Sequence, residues 1–251
     1  MTENENNDGW YKEWFGQDYL KVYPHRNEEE ARFQANFVEN VLPLSIGDRI
    51  LDLGCGNGRH ALQLTSRGHF VAGFDLSNVL LTEAKQNSKR QFCARFVQGD
   101  MRHLPFAQAF DAVVSFFTTF GYFESDKENL RTFQNIHGAL KTGGKFMQDY
   151  MNKTYLLNQL IPYDEKQVNG ITITQERSYV ERTKRIEKKI TLHEGAKKRE
   201  YFESVRLYSF DEIINLLHQA NLNLSASYGD FDGQEFTEES PRLILLGKKA
   251  I

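Results

Sequence analysis

The chain has few cysteines, no long apolar run and no large excess of charge of either sign. Two cysteines, Cys55 and Cys93, are too few for a disulfide framework or a metal-binding set, which favours a reducing compartment. No apolar stretch approaches the roughly 18 residues of a membrane-spanning helix, and the polar N-terminus lacks the apolar core of a signal peptide. We therefore expect a cytoplasmic protein that has no membrane partner.

The charges are nearly balanced, with 31 basic and 34 acidic residues spread along the chain. Proteins that bind nucleic acids more often carry a concentrated basic surface. A polynucleotide substrate is therefore disfavoured.

Apolar residues are abundant, with 40% hydrophobic and 13% aromatic residues in a chain of 251, which is enough for a full core. Between residues 49 and 151, apolar runs of strand length alternate with segments that have a helical pattern. These runs lack polar alternation, which is typical of parallel strands covered by helices on both faces. A helix and two strands close the chain, so we predict a doubly wound, mostly parallel α/β sheet of seven strands.

The N-terminal region departs from this pattern. Residues 1–8 are predicted to be disordered, and two helices should follow before the first strand. The first helix covers the aromatic segment 10–23, and the second, over 27–42, has Asn27 as its N-cap.

A second departure lies between the fifth strand and the last helix. Residues 171–208 alternate in side-chain character and turn at "HEGAKK", which indicates a three-stranded antiparallel meander. The predicted organisation is a helical cap (1–42), an α/β core (43–151 and 209–251) and a β insertion (152–208) that covers the substrate.

The segment "LDLGCGNGRH" ends the first strand with Gly54, Gly56 and Gly58. A dinucleotide fingerprint needs its third glycine one residue later, where this chain has Arg59. Asp52, two residues before the turn, would repel a pyrophosphate but suits a ligand that carries an ammonium group. No Lys-Ser or Lys-Thr pair follows, which excludes a Walker loop. An adenosyl ligand without phosphates therefore fits best.

Two further acids follow the next strands. Asp75 ends the second strand, at the position that faces the ribose hydroxyls of a ligand in a doubly wound sheet. Asp100 ends the third strand and could accept a hydrogen bond from an adenine amino group. Leu76 and Met101, which follow these acids, are placed to flank the adenine ring. This set describes S-adenosylmethionine (SAM) better than NAD.

Four motifs between about residues 49 and 150 resemble those of class I SAM-dependent methyltransferases: "LDLGCGNGRH", "GFDLS", "QGDMRHLPF" and "FDAVVSFFTTFGYF". The aromatic first helix and the β insertion resemble the small-molecule branch of that family, which includes sugar N-methyltransferases. The resemblance implies a Rossmann-like methyltransferase fold. It also implies that Arg26, with Tyr19 beside it, pairs with the cofactor carboxylate; Tyr23 has the matching spacing. The residues expected to bind SAM are Tyr19, Arg26, Asp52, Gly54, Cys55, Gly56, Gly58, Asp75, Leu76, Asp100, Met101 and Phe116.

The segment 115–125, "SFFTTFGYFES", leaves the fourth strand where an acceptor should meet the methyl group. Tyr122 is the candidate catalytic residue, because it falls where some sugar N-methyltransferases have a histidine base. A phenol with a pKa of about 10 is a poor base at neutral pH, so Tyr122 is expected to orient the acceptor. His60 is left open between a packed residue and a ligand contact.

The sequence thus predicts in-line methyl transfer from SAM to a nitrogen or oxygen of a small molecule, by a monomer or homodimer. Two alternatives stay open at this point. One is an RNA or protein methyltransferase, and the other is a binding module that retains SAM without catalysis.

Overall fold

A computed structural model describes residues 9–23, 26–91 and 94–250, with only the backbone given for 89–91. The segment predicted to be disordered, residues 1–8, and Cys93 lie outside the described residues. No helix in the described part of the chain is long and apolar enough to cross a membrane.

The main sheet has seven strands in the order β10-β11-β5-β4-β1-β2-β3. Strands β1 to β5 run parallel, whereas β11 is antiparallel to both β5 and β10. This topology confirms the predicted fold class. The strands are β1 (Arg49–Leu53), β2 (Phe70–Asp75), β3 (Arg95–Gln98), β4 (Phe110–Ser115), β5 (Leu140–Met151), β10 (Leu222–Tyr228) and β11 (Arg242–Lys249).

Helices cover both faces of this sheet because each buries one apolar stripe. One core cluster contains Val38 of α3 and Leu64 of α4, and the other contains Phe133 of α6 and Leu217 of α8. The core helices are α3 (Glu28–Val41), α4 (Arg59–Ser66), α5 (Asn78–Gln91), α6 (Asp126–Ala139) and α8 (Phe210–Gln219).

Capping bonds fix the starts of two helices, and the predicted N-cap Asn27 is confirmed. Asn27 accepts a hydrogen bond from the Glu30 amide, and Ser209 and Glu212 form a complete capping box at α8. Helix α6 ends before the glycine pair at 143–144, because β5 already begins at Leu140, which pairs with Phe110 before a register shift.

The insertion forms a second, separate sheet of four antiparallel strands in the order β6-β7-β8-β9. The predicted three-stranded meander corresponds to β7 (Ile171–Val180), β8 (Arg185–Glu194) and β9 (Lys197–Arg206). The sequence analysis missed the edge strand β6 (Tyr163–Val168) and the short helix α7 (Lys153–Asn158). Strand β6 reads "YDEKQV", so it has no apolar face that would indicate a strand.

The predicted aromatic helix over 10–23 is two short helices, α1 (Trp10–Trp14) and α2 (Gln17–Val22), which are separated at Gly16. They pack in a third apolar cluster with residues of the second sheet, such as Ile190 and Leu192. We call residues 9–23 the N-terminal segment. It lies against the second sheet, since α1 contacts strand β9.

Candidate active site

A cavity of about 310 Å³ lies at the carboxyl ends of β1, β2, β3 and β4, within the size range of small-molecule sites. The N-terminal segment lines its other side through residues such as Tyr11 and Phe15. None of the lining residues comes from the second sheet. The residues proposed from the sequence that line the cavity are Tyr19, Arg26, Gly54, Cys55, Gly56, Asp75, Leu76, Asp100, Met101, Phe116 and Tyr122.

The glycine turn brings the backbone to the cavity wall. Gly54 has φ of 75°, and a Cβ there would lie 2.4 Å from Cγ2 of Thr119, so only glycine fits this turn. Gly58 does not line the cavity. A Cβ at Gly58 would lie 2.7 Å from the Phe96 ring and 2.9 Å from Cβ of Ala84. Its role in the structure is to allow the start of α4 to pack closely against β3 and α5.

Two backbone amides hold the carboxylate of Asp75. Its Oδ2 accepts a hydrogen bond from the Gly56 amide at 2.8 Å, and its Oδ1 accepts one from the Ser77 amide at 2.8 Å. Burial raises the pKa of this carboxyl group, and the backbone donors partly oppose that shift. The carboxylate is therefore fixed in one orientation before any ligand binds.

Asp100 also faces the cavity, and an ion pair with Arg102 holds its carboxylate. The Arg102 guanidinium donates to both carboxylate oxygens, with Nη2 2.6 Å from Oδ2. Burial alone would raise the pKa of Asp100, but the bonds from Arg102 outweigh burial and lower it. Asp100 therefore stays ionised, and its orientation is set by Arg102.

Asp52 lies behind the glycine turn rather than in the cavity wall. Its residue surface is 1% exposed, and Oδ2 has no hydrogen-bond partner among the described residues. Burial, together with the nearby charge of Asp75, raises the pKa of Asp52 to about 7. The structure thus places a buried carboxyl group with a raised pKa directly behind the turn.

Arg26 is a half-buried cation whose described contacts are with aromatic rings and a phenol hydroxyl. Its Nη1 donates to the Tyr19 hydroxyl, and its Cζ lies 4.3 Å from the ring centroid of Tyr23 and 4.7 Å from that of Phe117. Its Nε is buried without a hydrogen-bond partner, and no ion pair to it occurs among the described residues. The guanidinium is therefore available to an anionic group in the cavity.

Phe117, which the sequence analysis did not single out, lies close to three guanidinium groups, those of Arg26, Arg59 and Arg242. Both Phe117 and Thr118 have a left-handed backbone, with φ of 56° and 57°. Asp149 stabilises this turn, because its Oδ2 accepts from the Phe117 amide at 2.7 Å and its carbonyl from the Thr118 amide at 3.2 Å. The Phe117 ring consequently lies 4.7 Å from the Cζ atoms of both Arg26 and Arg59. Strained backbone of this kind is typical of functional loops.

Tyr122 lies in an aromatic cluster at the end of the cavity next to the N-terminal segment. Its ring centroid is 5.0 Å from that of Trp10, 5.7 Å from that of Phe15 and 6.3 Å from that of Tyr11. Burial raises the pKa of Tyr122 well above its ordinary value. The phenol therefore keeps its proton at neutral pH.

His60 is both a packed residue and a lining residue. Its ring stacks on Phe116 with centroids 3.9 Å apart, and its Nε2 lies 2.7 Å from Oε1 of Gln34. Burial lowers the pKa of His60 well below its ordinary value. The imidazole is therefore neutral and only a weak proton acceptor.

These residues fit SAM. The buried Nε of Arg26, which has no hydrogen-bond partner among the described residues, suits a carboxylate, and the fixed carboxylate of Asp75 suits a ribose diol. A Cβ at Gly56 would meet only Leu80, at 3.8 Å, so the turn leaves open space above the backbone.

Comparison with known proteins agrees with this assignment. Residues 50–144 match the family described as methyltransferase domain. A putative methyltransferase of Geobacillus is 34% identical over 113 residues, and this match covers 45% of each chain. A glycine/sarcosine N-methyltransferase of Aphanothece halophytica is 24% identical over 98% of this chain and 91% of its own. The chain thus spans about half the length of relatives such as the first and nearly all of the second.

Solved structures share the whole fold. A SAM-dependent methyltransferase from Clostridium acetobutylicum superposes with a TM-score of 0.81 at 20% identity, covering 93% of this chain and 97% of its own. A SAM-bound amino pentose methyltransferase from Micromonospora echinaspora gives a TM-score of 0.66 at 20% identity over 100% of both chains. Residues 50–144 thus match a methyltransferase domain in sequence, and the fold of the chain is that of solved methyltransferases.

Proposed function

We propose that the protein transfers the methyl group of SAM to a small-molecule acceptor, and that the acceptor atom is an amine nitrogen. The observation that carries the proposal is the position of the cavity, with the carboxyl ends of four parallel strands on one side and the N-terminal segment on the other. Such an enclosed site suits a small acceptor better than a polymer. The relatives named above that act on glycine, sarcosine or an amino pentose have acceptors of this size.

We propose the following cofactor contacts, which the geometry of the cavity wall supports. Asp75 binds the ribose hydroxyls, Leu76 and Met101 flank the adenine ring, and Asp100 faces its amino group. Arg26 binds the methionine carboxylate, supported by the Tyr19 hydroxyl. The backbone of Gly54, Cys55 and Gly56 lines the centre of the ligand, and Phe116 lies beside it. Asp52 and Gly58 support the turn from behind.

The chemistry requires little from the protein beyond position and exclusion of water. SAM supplies an electrophilic methyl group, which is bonded to a positively charged sulfur. The rings of Phe15 and Tyr122 offer faces that favour a cation and exclude water. Holding nucleophile and methyl carbon in line is the larger contribution, and orientation of this kind supplies at most about 7–11 kcal/mol of barrier reduction.

The protonation states favour an amine over a hydroxyl acceptor. An oxygen nucleophile needs a general base, whereas a neutral amine can attack directly. Tyr122 keeps its proton, and His60 is a weak acceptor, because burial shifts the pKa of each in the direction that favours its neutral form. We therefore propose that Tyr122 orients the amine through its hydroxyl group rather than removing a proton.

We also propose that the predicted lid acts indirectly. The insertion, residues 152–208, supplies no lining residue of the described cavity. It packs instead against the N-terminal segment, which does line the cavity. The second sheet thus holds the N-terminal segment in place.

The test is turnover of methyl-labelled SAM with a panel of small amines and matched alcohols. We expect label transfer to at least one amine and formation of S-adenosylhomocysteine in equal amount. Transfer only to RNA or protein from a cell extract would contradict a small-molecule acceptor. Tight SAM binding with no transfer to any extract fraction would indicate a non-catalytic module instead.

A further inference from the structure

We infer that Glu203, on strand β9 of the second sheet, is a positioning residue for the cofactor-carboxylate site around Arg26. The inference rests on the proposed function, because it concerns how that same site is held. It assigns a purpose to an insertion that lies outside the cavity.

Glu203 bonds to two aromatic residues of the N-terminal segment. Its Oε1 accepts a hydrogen bond from Nε1 of Trp14 at 2.6 Å and one from the Tyr23 hydroxyl at 3.2 Å. Its Oε2 forms an ion pair with Lys188 on the neighbouring strand β8, at 2.7 Å. The side chains of Glu203 and Lys188 are only 18% and 14% exposed, so these bonds are well shielded from water.

Tyr23 connects this carboxylate to Arg26. The Arg26 guanidinium lies over the Tyr23 ring, with Cζ 4.3 Å from the ring centroid. Tyr19, whose hydroxyl accepts from Arg26, packs against the same ring with centroids 5.1 Å apart. Any rotation of Tyr23 would therefore disturb two of the three aromatic contacts of the guanidinium, those with Tyr23 itself and with Tyr19.

The charges explain why Tyr23 lies between Glu203 and Arg26. A carboxylate in direct contact with Arg26 would neutralise the cation and compete with the cofactor carboxylate. Glu203 is paired instead with Lys188, which also donates to the Tyr23 hydroxyl. The Glu203–Lys188 pair carries no net charge and fixes Tyr23. The charge of Arg26 therefore remains available to the ligand.

Strand β9 also offers a matched control. Tyr201, two residues from Glu203, donates to Asp18 of α2 at 2.7 Å and therefore ties the same segment to the same strand. No bond of Tyr201 to Tyr19, Tyr23 or Arg26 occurs among the described residues. A Tyr201→Phe variant keeps the ring that packs on Trp14 but loses this anchor.

The experiment measures KM for SAM and kcat, together with SAM affinity by calorimetry, for Glu203→Ala, Glu203→Gln and Tyr201→Phe. Loss of Glu203 leaves buried donors without an acceptor, so we expect KM for SAM to rise about tenfold in Glu203→Ala, with kcat within about twofold. Glutamine retains one acceptor oxygen, so Glu203→Gln should recover part of the affinity. Tyr201→Phe should stay within about twofold of the wild type.

The outcomes separate this inference from the proposed function. If the wild type binds SAM and Glu203→Ala binds it equally well, the positioning role is wrong while the function stands. Equal loss in Glu203→Ala and Tyr201→Phe would show that any anchor of the segment has the same effect, which also overturns the inference. If Glu203→Ala does not fold, Glu203→Gln decides, and an unchanged KM in that variant contradicts the role. A folded wild type that binds no SAM would overturn the function itself.

Discussion

The two ends of the cavity are built in different ways. At the proposed adenosyl end, Asp75 is fixed by two backbone amides, that of Gly56 after β1 and that of Ser77 after β2. At the opposite end, Arg26 is held by side chains, and the support of its neighbours comes from Glu203, 180 residues from Tyr23 along the chain. The first end is a property of the α/β core. The second depends on contacts between the N-terminal segment and the second sheet.

The largest effect should come from removing the fixed carboxylate at the adenosyl end. Asp75→Ala loses charge-assisted bonds to the ligand, so we expect SAM affinity to fall about 100-fold in calorimetry. Asp232→Ala, in an exposed loop, is the control and should bind as the wild type does. Unchanged affinity in Asp75→Ala would show that the ligand does not occupy this end.

Removing the charge of Arg26 at the other end should weaken only the binding of the ligand's amino-acid part. Arg26→Met should weaken S-adenosylhomocysteine about 30-fold, because its carboxylate loses a charged partner. The same variant should bind 5′-methylthioadenosine, which lacks the amino acid, as the wild type does. Asp75→Ala should weaken both ligands. Equal effects of Arg26→Met on both ligands would contradict the division of the cavity into two ends.

The residues at the two ends of the cavity could be only partly predicted from the sequence. Asp75 and Asp100 each follow a strand, and consecutive parallel strands end at one edge, so local patterns were enough to place them. Phe117 and Glu203 gave no such signal, because their roles depend on the contacts of segments that are far apart in the chain. The strand β6 was missed for a related reason, since it is polar on both faces and is defined only by pairing with β7.

A third prediction concerns the buried carboxyl group under the glycine turn. The pKa of Asp52 is raised to about 7, so the folded protein holds a proton that the unfolded chain releases near pH 4. Stability should therefore fall as pH rises from about 4 to 7. Asp52→Asn removes this dependence and should stabilise the ligand-free protein by up to about 4 kcal/mol at pH 8, and by little at pH 4. Denaturant unfolding at both pH values measures it, and equal differences at the two would contradict the assignment.

The smallest effect should come from Tyr122. Because burial keeps this phenol protonated, Tyr122→Phe should lower kcat by no more than about threefold and leave the pH dependence of kcat unchanged. Loss of an ionisation from the pH–rate profile of this variant would show that Tyr122 is a base after all.

The most direct test of the two-ended cavity is a crystal structure with S-adenosylhomocysteine bound. The account predicts that the ribose hydroxyls lie within hydrogen-bond distance of Asp75 and that the carboxylate contacts Arg26 beside Tyr19. A ligand bound in the reverse direction, or one whose carboxylate lies away from Arg26, would contradict it.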